Sequence, residues 1–337
     1  MNLIQRIDAF SKLGEKIKYV STSELDEILL NVKNQNPWFT GESTKLALTG
    51  ITKFLMKSNL EKWTSSYELN LKKAKNIGVA MAGNIPLVGF HDFLCVLISG
   101  HNLIAKLSSQ DSILIKWLTN MLISIEPEFS AFISFQERLN HVDAMIATGS
   151  DNTARYFEYY FRKIPHIIRK NRSSCAILMG EESAEELNVL GQDVFTYFGL
   201  GCRSVSKLYV PEGYHFIRML DSWAPYHDII HHHKYCNNYD YQKSILLVNG
   251  TPFLDTGYVL VTENEALVSP ISTVYYETYA NQNDLSEKLN KQHEKLQCLV
   301  SANAWYKKSI AFGKAQFPEV WDYADTIDTL KFLEFRE

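Results

Sequence analysis

A chain of 337 residues is longer than one average domain, which leaves one large domain or two intimate ones. Its composition, 46% hydrophobic and 21% charged, is that of a globular protein with a sizeable core. A formal net charge of −4, with its lysines and arginines scattered, excludes a bulk field that would draw in nucleic acid or an anionic membrane.

The first twenty residues, MNLIQRIDAFSKLGEKIKYV, lack the basic-then-apolar order of a signal peptide. The most apolar stretch, Ile85 to Leu107, is interrupted by His91, Asp92, His101 and Asn102 and contains glycines and a proline. It is a poor membrane span and a good buried βα unit. The expectation is therefore a cytoplasmic protein whose five cysteines (Cys95, Cys175, Cys202, Cys236 and Cys298) are reduced thiols. None forms a CxxC pair, which argues against structural zinc.

Residues 1 to about 70 read as helical. Leu3, Ile7, Phe10, Leu13 and Ile17 recur at three- and four-residue steps, and Ser21 to Val32 restarts after a capping-type STSEL. Trp38 to Leu60 gives a further helix pair. The pattern then changes to strand, loop, helix. Asn76 to Ala82 is a short apolar run, Gly83 to Leu87 a loop, Leu87 to Ile98 a helix and Asn102 to Lys106 a second strand. Ser112 to Ile123 reads as a helix, Ala144 to Thr148 as a strand, Asn152 to Arg162 as a helix, Cys175 to Met179 as a strand and Ala184 to Phe198 as a helix. This rhythm predicts right-handed βαβ units around a parallel sheet. Ligands on such sheets bind at the carboxyl ends of the strands, where Gly83 and Asn84, Lys106, and Gly149 and Ser150 fall.

Beyond Cys202, strands are predicted at Ser206 to Val210, Ile245 to Val248, Gly257 to Thr262, Ser272 to Tyr279 and Leu296 to Ala302, with a helix at Asn283 to Lys295. No 20- to 50-residue repeat and no low-complexity segment is visible.

Gly199-Leu-Gly-Cys202 places a cysteine in a glycine-bearing turn after a helix, where backbone and substrate can approach closely. A thiolate there is a competent nucleophile, and attack on an acyl carbon needs a hydrogen-bond donor for the oxyanion. A buried, inert thiol is the commoner fate of a cysteine, so the turn alone leaves both open.

Its company is informative. Asn84-Ile-Pro-Leu87, Gly100-His-Asn-Leu-Ile-Ala-Lys106-Leu-Ser-Ser109, Thr148-Gly-Ser150 and Gly199-Leu-Gly-Cys202-Arg-Ser-Val-Ser206 follow one another in order. Together they resemble the motif set of the aldehyde dehydrogenase superfamily: an Asn-x-Pro loop, a Gly-Asn-x-x-x-Lys-Pro-Ser strand end, a Thr-Gly-Ser turn and a Gly-Gln-x-Cys turn. The resemblance runs from about Asn76 to the C-terminus and is faint after Val210. The Gly83-Asn84-Ile-Pro86 loop, the Leu-Gly-Cys-Arg-Ser-Val-Ser turn and Asp-Tyr-Ala-Asp-Thr-Ile-Asp-Thr near the C-terminus are most similar to the acyl-CoA reductase (LuxC-like) family.

The resemblance implies an α/β, aldehyde dehydrogenase-like fold with a parallel-sheet nucleotide-binding domain and an α/β catalytic domain. The expected boundaries are an N-terminal helical segment at 1–70, an NAD(P)-binding domain at 71–198, and a catalytic domain with a C-terminal return segment at 199–337. It also implies residue roles. Cys202 is the nucleophile, and the side-chain amide of Asn84 joins the cysteine's own backbone N–H in an oxyanion hole, a donor worth roughly 3 kcal/mol of barrier. Lys106 matches the lysine on the adenosine ribose. Ser109 stands where the family often has a ribose-binding glutamate; without that carboxylate a 2′-phosphate is tolerated, which points to NADPH with NADH as the alternative. Thr148, Gly149 and Ser150 match the turn at the pyrophosphate. Aligned on Pro270, Glu265 lies one residue from a glutamate that contacts the nicotinamide ribose.

One absence matters as much. Oxidative members place a water-activating glutamate upstream of the cysteine, at a position that falls near Ile168 here, and no carboxylate lies between Tyr159 and Gly180. Without a general base, water does not readily hydrolyse a thioester. The implied reaction is reduction of an acyl-CoA or other acyl thioester to aldehyde through a Cys202 thioester, by a homo-oligomer or with a partner acyl-transfer enzyme. The alternatives are a cysteine acyltransferase or thioesterase, an acyl-phosphate reductase, and a non-catalytic homologue that binds nucleotide or a partner. His231, His232 and His233, with His227 and Asp228, also invite a metal reading; three consecutive histidines do not share a face and no HExxH pattern exists, so no metal is expected.

Overall fold

The structure, a computed structural model, describes residues 1–69, 73–149 and 151–335. The chain forms two compact units, Met1–Asn171 with Pro318–Glu337, and Arg172–Phe317.

The first unit opens with four helices, α1 (Leu3–Lys18), α2 (Thr22–Gln35), α3 (Gly41–Phe54) and α4 (Lys57–Thr64). Each of the first three begins where a side chain can cap it. Asn2 and Gln5 form a reciprocal capping box on α1, and Ser21 and Thr40 accept from the third backbone N–H of α2 and α3. The predicted stripe on α1 is its buried face, with Phe10 and Leu13 fully enclosed. The helical segment is stitched into this unit rather than standing apart. Arg6 of α1 is buried and donates to the carbonyls of Ile98 (2.9 Å), Leu69 (3.2 Å) and Met1 (2.8 Å), and burial lowers its guanidinium to about 10.

The sheet of this unit holds β1 (Asn76–Ala80), β2 (Asn102–Lys106), β3 (Ile133–Phe135), β4 (Ala144–Thr148) and β5 (His166–Arg169). All are parallel, in the order β3-β2-β1-β4-β5. Helices α5 (Phe90–Ser99), α6 (Ile113–Ile125) and α7 (Asp151–Phe161) make the crossovers. Strands β3 and β5 are absent from the sequence expectation. Both are short, and β5 is an edge strand beginning one residue after Pro165, so neither shows a period long enough to read. The returning segment packs here: Trp63 donates to the Tyr323 hydroxyl (2.7 Å), Tyr67 to Asp328 (2.9 Å), and His91 Nε2 pairs with the Val320 carbonyl (2.7 Å).

The second unit holds β6 (Ser173–Ile177), α8 (Ala184–Phe195), β7 (Val205–Pro211), α9 (Ile217–Ser222), α10 (His233–Val248), β8 (Leu254–Asp255), β9 (Leu260–Glu263), β10 (Thr273–Tyr279), α11 (Gln282–Gln292), β11 (Leu296–Ser301) and β12 (Ile310–Ala311). Its seven-stranded sheet runs β12-β11-β6-β7-β10-β9-β8, parallel except for the β8–β9 pair. The core on one face gathers Phe195, Leu208, Trp223, Val261 and Val274.

Two expectations are corrected. Ile245 to Val248, read as a strand, is the last turn of α10, and Leu247 and Val248 are 61% and 86% exposed. Four apolar residues cannot distinguish the periods, and the polar helix before them carries through. The domain boundary drawn after Phe198 falls instead at Asn171/Arg172, because β6 and α8 join the second sheet. A βα rhythm does not say which sheet a strand enters. Among the described residues no helix is long and apolar enough to cross a membrane.

Candidate active site

In the first unit the register places Ala80, Lys106, Ala147 and Arg169 along the carboxyl edge of the sheet. The strand order changes direction between β1 and β4, which run parallel, so the loops after these two strands flank a topological switch point, where open α/β sheets bind ligands. Asn84 and Lys106 are exposed on this edge, as is Ser109 in the loop beyond β2; Thr148 and Gly149 close β4, partly accessible. The structure therefore gathers Asn84, Lys106, Ser109, Thr148 and Gly149 at one edge; Ser150 lies outside the described residues.

The loops on this edge approach one another without slack. At Gly83 a Cβ would lie 2.4 Å from Ser108 Oγ, so that contact demands glycine, while at Gly149 it would lie a tight 3.0 Å from Thr153 Cβ. Leu87, non-glycine, has φ of +60°. Its N–H donates to Oδ2 of Asp111 at 2.7 Å. Asp111 is buried, its Oδ1 meets no hydrogen-bond partner among the described residues, and burial pushes its carboxyl up to about 7 against the opposing pull of the Leu87 N–H. Asp111 was missed from sequence, because an aspartate in a Ser-Ser-Gln-Asp turn signals local turn chemistry and not burial.

The position read as Ile168 lies on β5, paired with Ala147. The next residue, Arg169, is 4% exposed and spends its guanidinium on Asp92 (2.5 Å) and the Thr329 hydroxyl (2.9 Å).

In the second unit α8 ends at Phe195, and Tyr197, Phe198 and Gly199 then take left-handed φ values of 54°, 59° and 75° in succession. Two non-glycine residues in that region store strain of the kind that surrounding packing must enforce. Leu200 N–H closes on the Tyr197 carbonyl at 3.0 Å and Ser204 N–H on Gly201 at 3.0 Å, so Cys202 sits in a tight turn immediately before β7. Its backbone is anchored from β6, where Ser174 Oγ donates to the Cys202 carbonyl at 3.0 Å. The same hydroxyl lies 2.9 Å from Cys298 Sγ. All five cysteines are thiols. Cys202 is partly accessible, whereas burial pushes the Cys298 thiol up to about 11 and Cys175 and Cys95 are fully enclosed. Among these, Cys202 combines a built turn with access.

Strand β7 also holds the Glu265 segment. Lys207 Nζ donates to the Glu265 carbonyl (2.8 Å) and pairs with Glu277, and Ser206 Oγ donates to the Leu267 carbonyl (2.7 Å). The Glu265 side chain is exposed. A cavity of about 30 Å³ lies beside Phe198, Gly199, Tyr235, Pro270 and Ile271, room for no more than a water-sized group. His227, Asp228 and His231 come together on the surface with ligand atoms within 4.8 Å, while the His232 ring packs against Phe198 at 4.4 Å. Cys202 and Glu265 thus belong to the second unit, and Asn84 and the other candidates to the first.

No protein-family model and no curated protein matches the chain. Solved structures do. An aldehyde dehydrogenase from Bacillus cereus in complex with NAD+ superimposes with a TM-score of 0.65 at 14% identity, over 89% of this chain and 72% of that one. Aldehyde dehydrogenase 21 from Physcomitrella patens, in complex with succinate, gives 0.65 and 14% over 89% and 73%. The indole-3-acetaldehyde dehydrogenase of P. syringae, with NAD+ and IAA, gives 0.67 and 11% over 94% and 75%. At such identities the likeness is one of architecture. The chain has the aldehyde dehydrogenase fold.

Proposed function

We propose that the chain is an NADPH-dependent acyl-CoA reductase of the LuxC-like kind, which makes aldehyde through a thioester on Cys202. What carries the proposal is a partly accessible thiol in a strained, anchored turn, in a chain with no carboxylate between Tyr159 and Gly180 to activate water. The position of the family glutamate falls near Ile168, and Arg169 beside it is locked to Asp92.

The residues present fit a nicotinamide dinucleotide. Lys106 is an exposed cation at the end of β2, Ser109 adds no negative charge, and Thr148–Gly149 end β4 beside the switch point. NADH is the alternative cofactor, and Glu265 is a further candidate contact. When bound, the cofactor supplies the hydride.

The chain's own residues do the rest. Cys202 Sγ, as thiolate, forms a bond to the acyl carbon, and the carbonyl electron pair moves to oxygen. The Cys202 backbone N–H donates to that oxyanion, a role in which the family resemblance adds the Asn84 amide; collapse breaks the acyl–sulfur bond and releases CoA thiolate. With no carboxylate between Tyr159 and Gly180 to deprotonate water, the acyl-enzyme persists until it is reduced. An acyl-thioester is thus the substrate class.

The test is intact-protein mass spectrometry after incubation with acyl-CoA and no cofactor, followed by NADPH absorbance. An acyl adduct on Cys202, absent in Cys202→Ala and discharged with one NADPH consumed, is expected. Acyl release without NADPH loss would replace the reductase by a thioesterase or acyltransferase, and no adduct would favour a non-catalytic role.

A further inference from the structure

Asn84 is bracketed by two contacts with the neighbouring loop. On one side, Gly83 presses against Ser108, with a notional Cβ 2.4 Å from its Oγ and 3.2 Å from the Asp111 amide nitrogen. On the other, the Leu87 N–H is held at 2.7 Å by Asp111 Oδ2. Between these points the chain turns through Leu87 at φ +60°, a conformation that a bulky L-residue keeps only when its surroundings impose it. The neighbouring loop is itself fixed from α2: Gln35 Nε2 donates to the Ser109 carbonyl (3.0 Å) and Ser112 Oγ (2.7 Å), and Gln35 Oε1 accepts from Ile113 N–H (3.3 Å). Asp111 is 3% exposed, and its Oδ1 is buried without a partner among the described residues. Burying a carboxyl half-satisfied is costly, so a task elsewhere is the simplest reason to keep it.

We propose that Asp111 is a positioning residue that hangs the Asn84 loop on the Lys106–Ser109 loop, so that occupation of the cofactor edge sets the oxyanion donor. The proposal rests on the roles given to Asn84, Lys106 and Ser109 above. Residues 107–112 carry the ribose-side contact and are braced by Gln35. Residues 83–87 carry the oxyanion donor and meet that loop at the Asp111 carboxyl and at the Gly83–Ser108 contact. Immobilising the first loop therefore immobilises the second, and removing the carboxyl uncouples them.

The test is hydrogen–deuterium exchange of the full chain, with and without NADPH, in wild type, Asp111→Asn and Asp111→Leu. Asn keeps an acceptor for the Leu87 N–H; Leu fills the space and removes it. Without ligand, Asp111→Leu is expected to raise exchange in peptides covering 81–90 by about tenfold or more, the loss of one charge-assisted bond, with Asp111→Asn close to wild type. With NADPH, protection should spread to 81–90 in wild type and Asp111→Asn but stay on 107–116 in Asp111→Leu. Unchanged exchange in Asp111→Leu, or NADPH protection of 81–90 that survives it, overturns the proposal. If Asp111→Leu fails to fold, Gly83→Ala opens the same junction and should give the same raised exchange; exchange like wild type there also overturns it. If wild type neither binds NADPH nor reduces acyl-CoA, the proposed function falls, while the ligand-free comparison still decides the tie.

Discussion

Each unit fastens a functional segment with a buried aspartate, and the two aspartates are finished differently. Asp193, near the end of α8, is fully enclosed and has both oxygens occupied, by Gly313 N–H at 2.6 Å and Ala315 N–H at 3.0 Å. Burial pushes its carboxyl up, and the two N–H groups and Lys314 hold the rise to about 6. Asp111 has one N–H on Oδ2 and, among the described residues, no partner on Oδ1, and rises to about 7. A satisfied acceptor makes a rigid brace beneath the helix that leads to Cys202. A half-satisfied one makes a joint whose strength depends on protonation and on what fills the neighbouring loop.

Five measurements would sharpen or break that contrast. The largest effect is expected in the unit that holds the proposed nucleophile: Cys202→Ala should lower NADPH oxidation with acyl-CoA by at least about 10⁴-fold, with the melting temperature nearly unchanged. Asn84→Ala should lower kcat by about 10²- to 10³-fold while NADPH affinity, measured by fluorescence, holds within about threefold. A parallel loss of affinity would mean that Asn84 serves the cofactor.

Stability comes next. Asp193→Ala orphans two buried N–H groups and should cost about 3 kcal/mol in urea unfolding, against about 1–2 kcal/mol for Asp111→Ala. Equal costs would dissolve the distinction between brace and joint.

The pH dependence has a definite sign. Asp111 binds its proton more tightly folded than unfolded, so its burial is not penalised below the unfolded value of 3.8 and becomes so as pH climbs toward 7. Wild type should therefore lose about 2 kcal/mol from this group between pH 5 and 7. Asp111→Asn should be flatter over that window, with the gap between them widest above pH 7. Curves that stay parallel would show that Asp111 titrates as an ordinary carboxylate. The smallest effect is on cofactor choice, where Ser109→Glu should shift preference from NADPH toward NADH by about tenfold, through repulsion of a 2′-phosphate.

Much of the fold was legible because its signals are local. Asn2, Ser21 and Thr40 cap helices wherever they occur, and the strand Asn102–Lys106 is an apolar run that ends on a lysine at the water's edge. Of the candidate site, Cys202, Asn84 and Lys106 were singled out through the order of their motifs. The short strands Ile133–Phe135 and His166–Arg169 were not, since three or four residues carry no period. Ile245 to Val248 misled for the same reason.

The amino-acid sequence by itself determined which stretches become helices, strands and glycine-bearing turns, because capping, periodicity and turn chemistry act over a few residues. Only the tertiary structure decided that β6 and α8 join the second sheet, that Leu87 and Tyr197 are forced left-handed, and that Asp111 is buried with one oxygen empty. Those outcomes depend on what packs against a residue from far along the chain, and no local propensity specifies that.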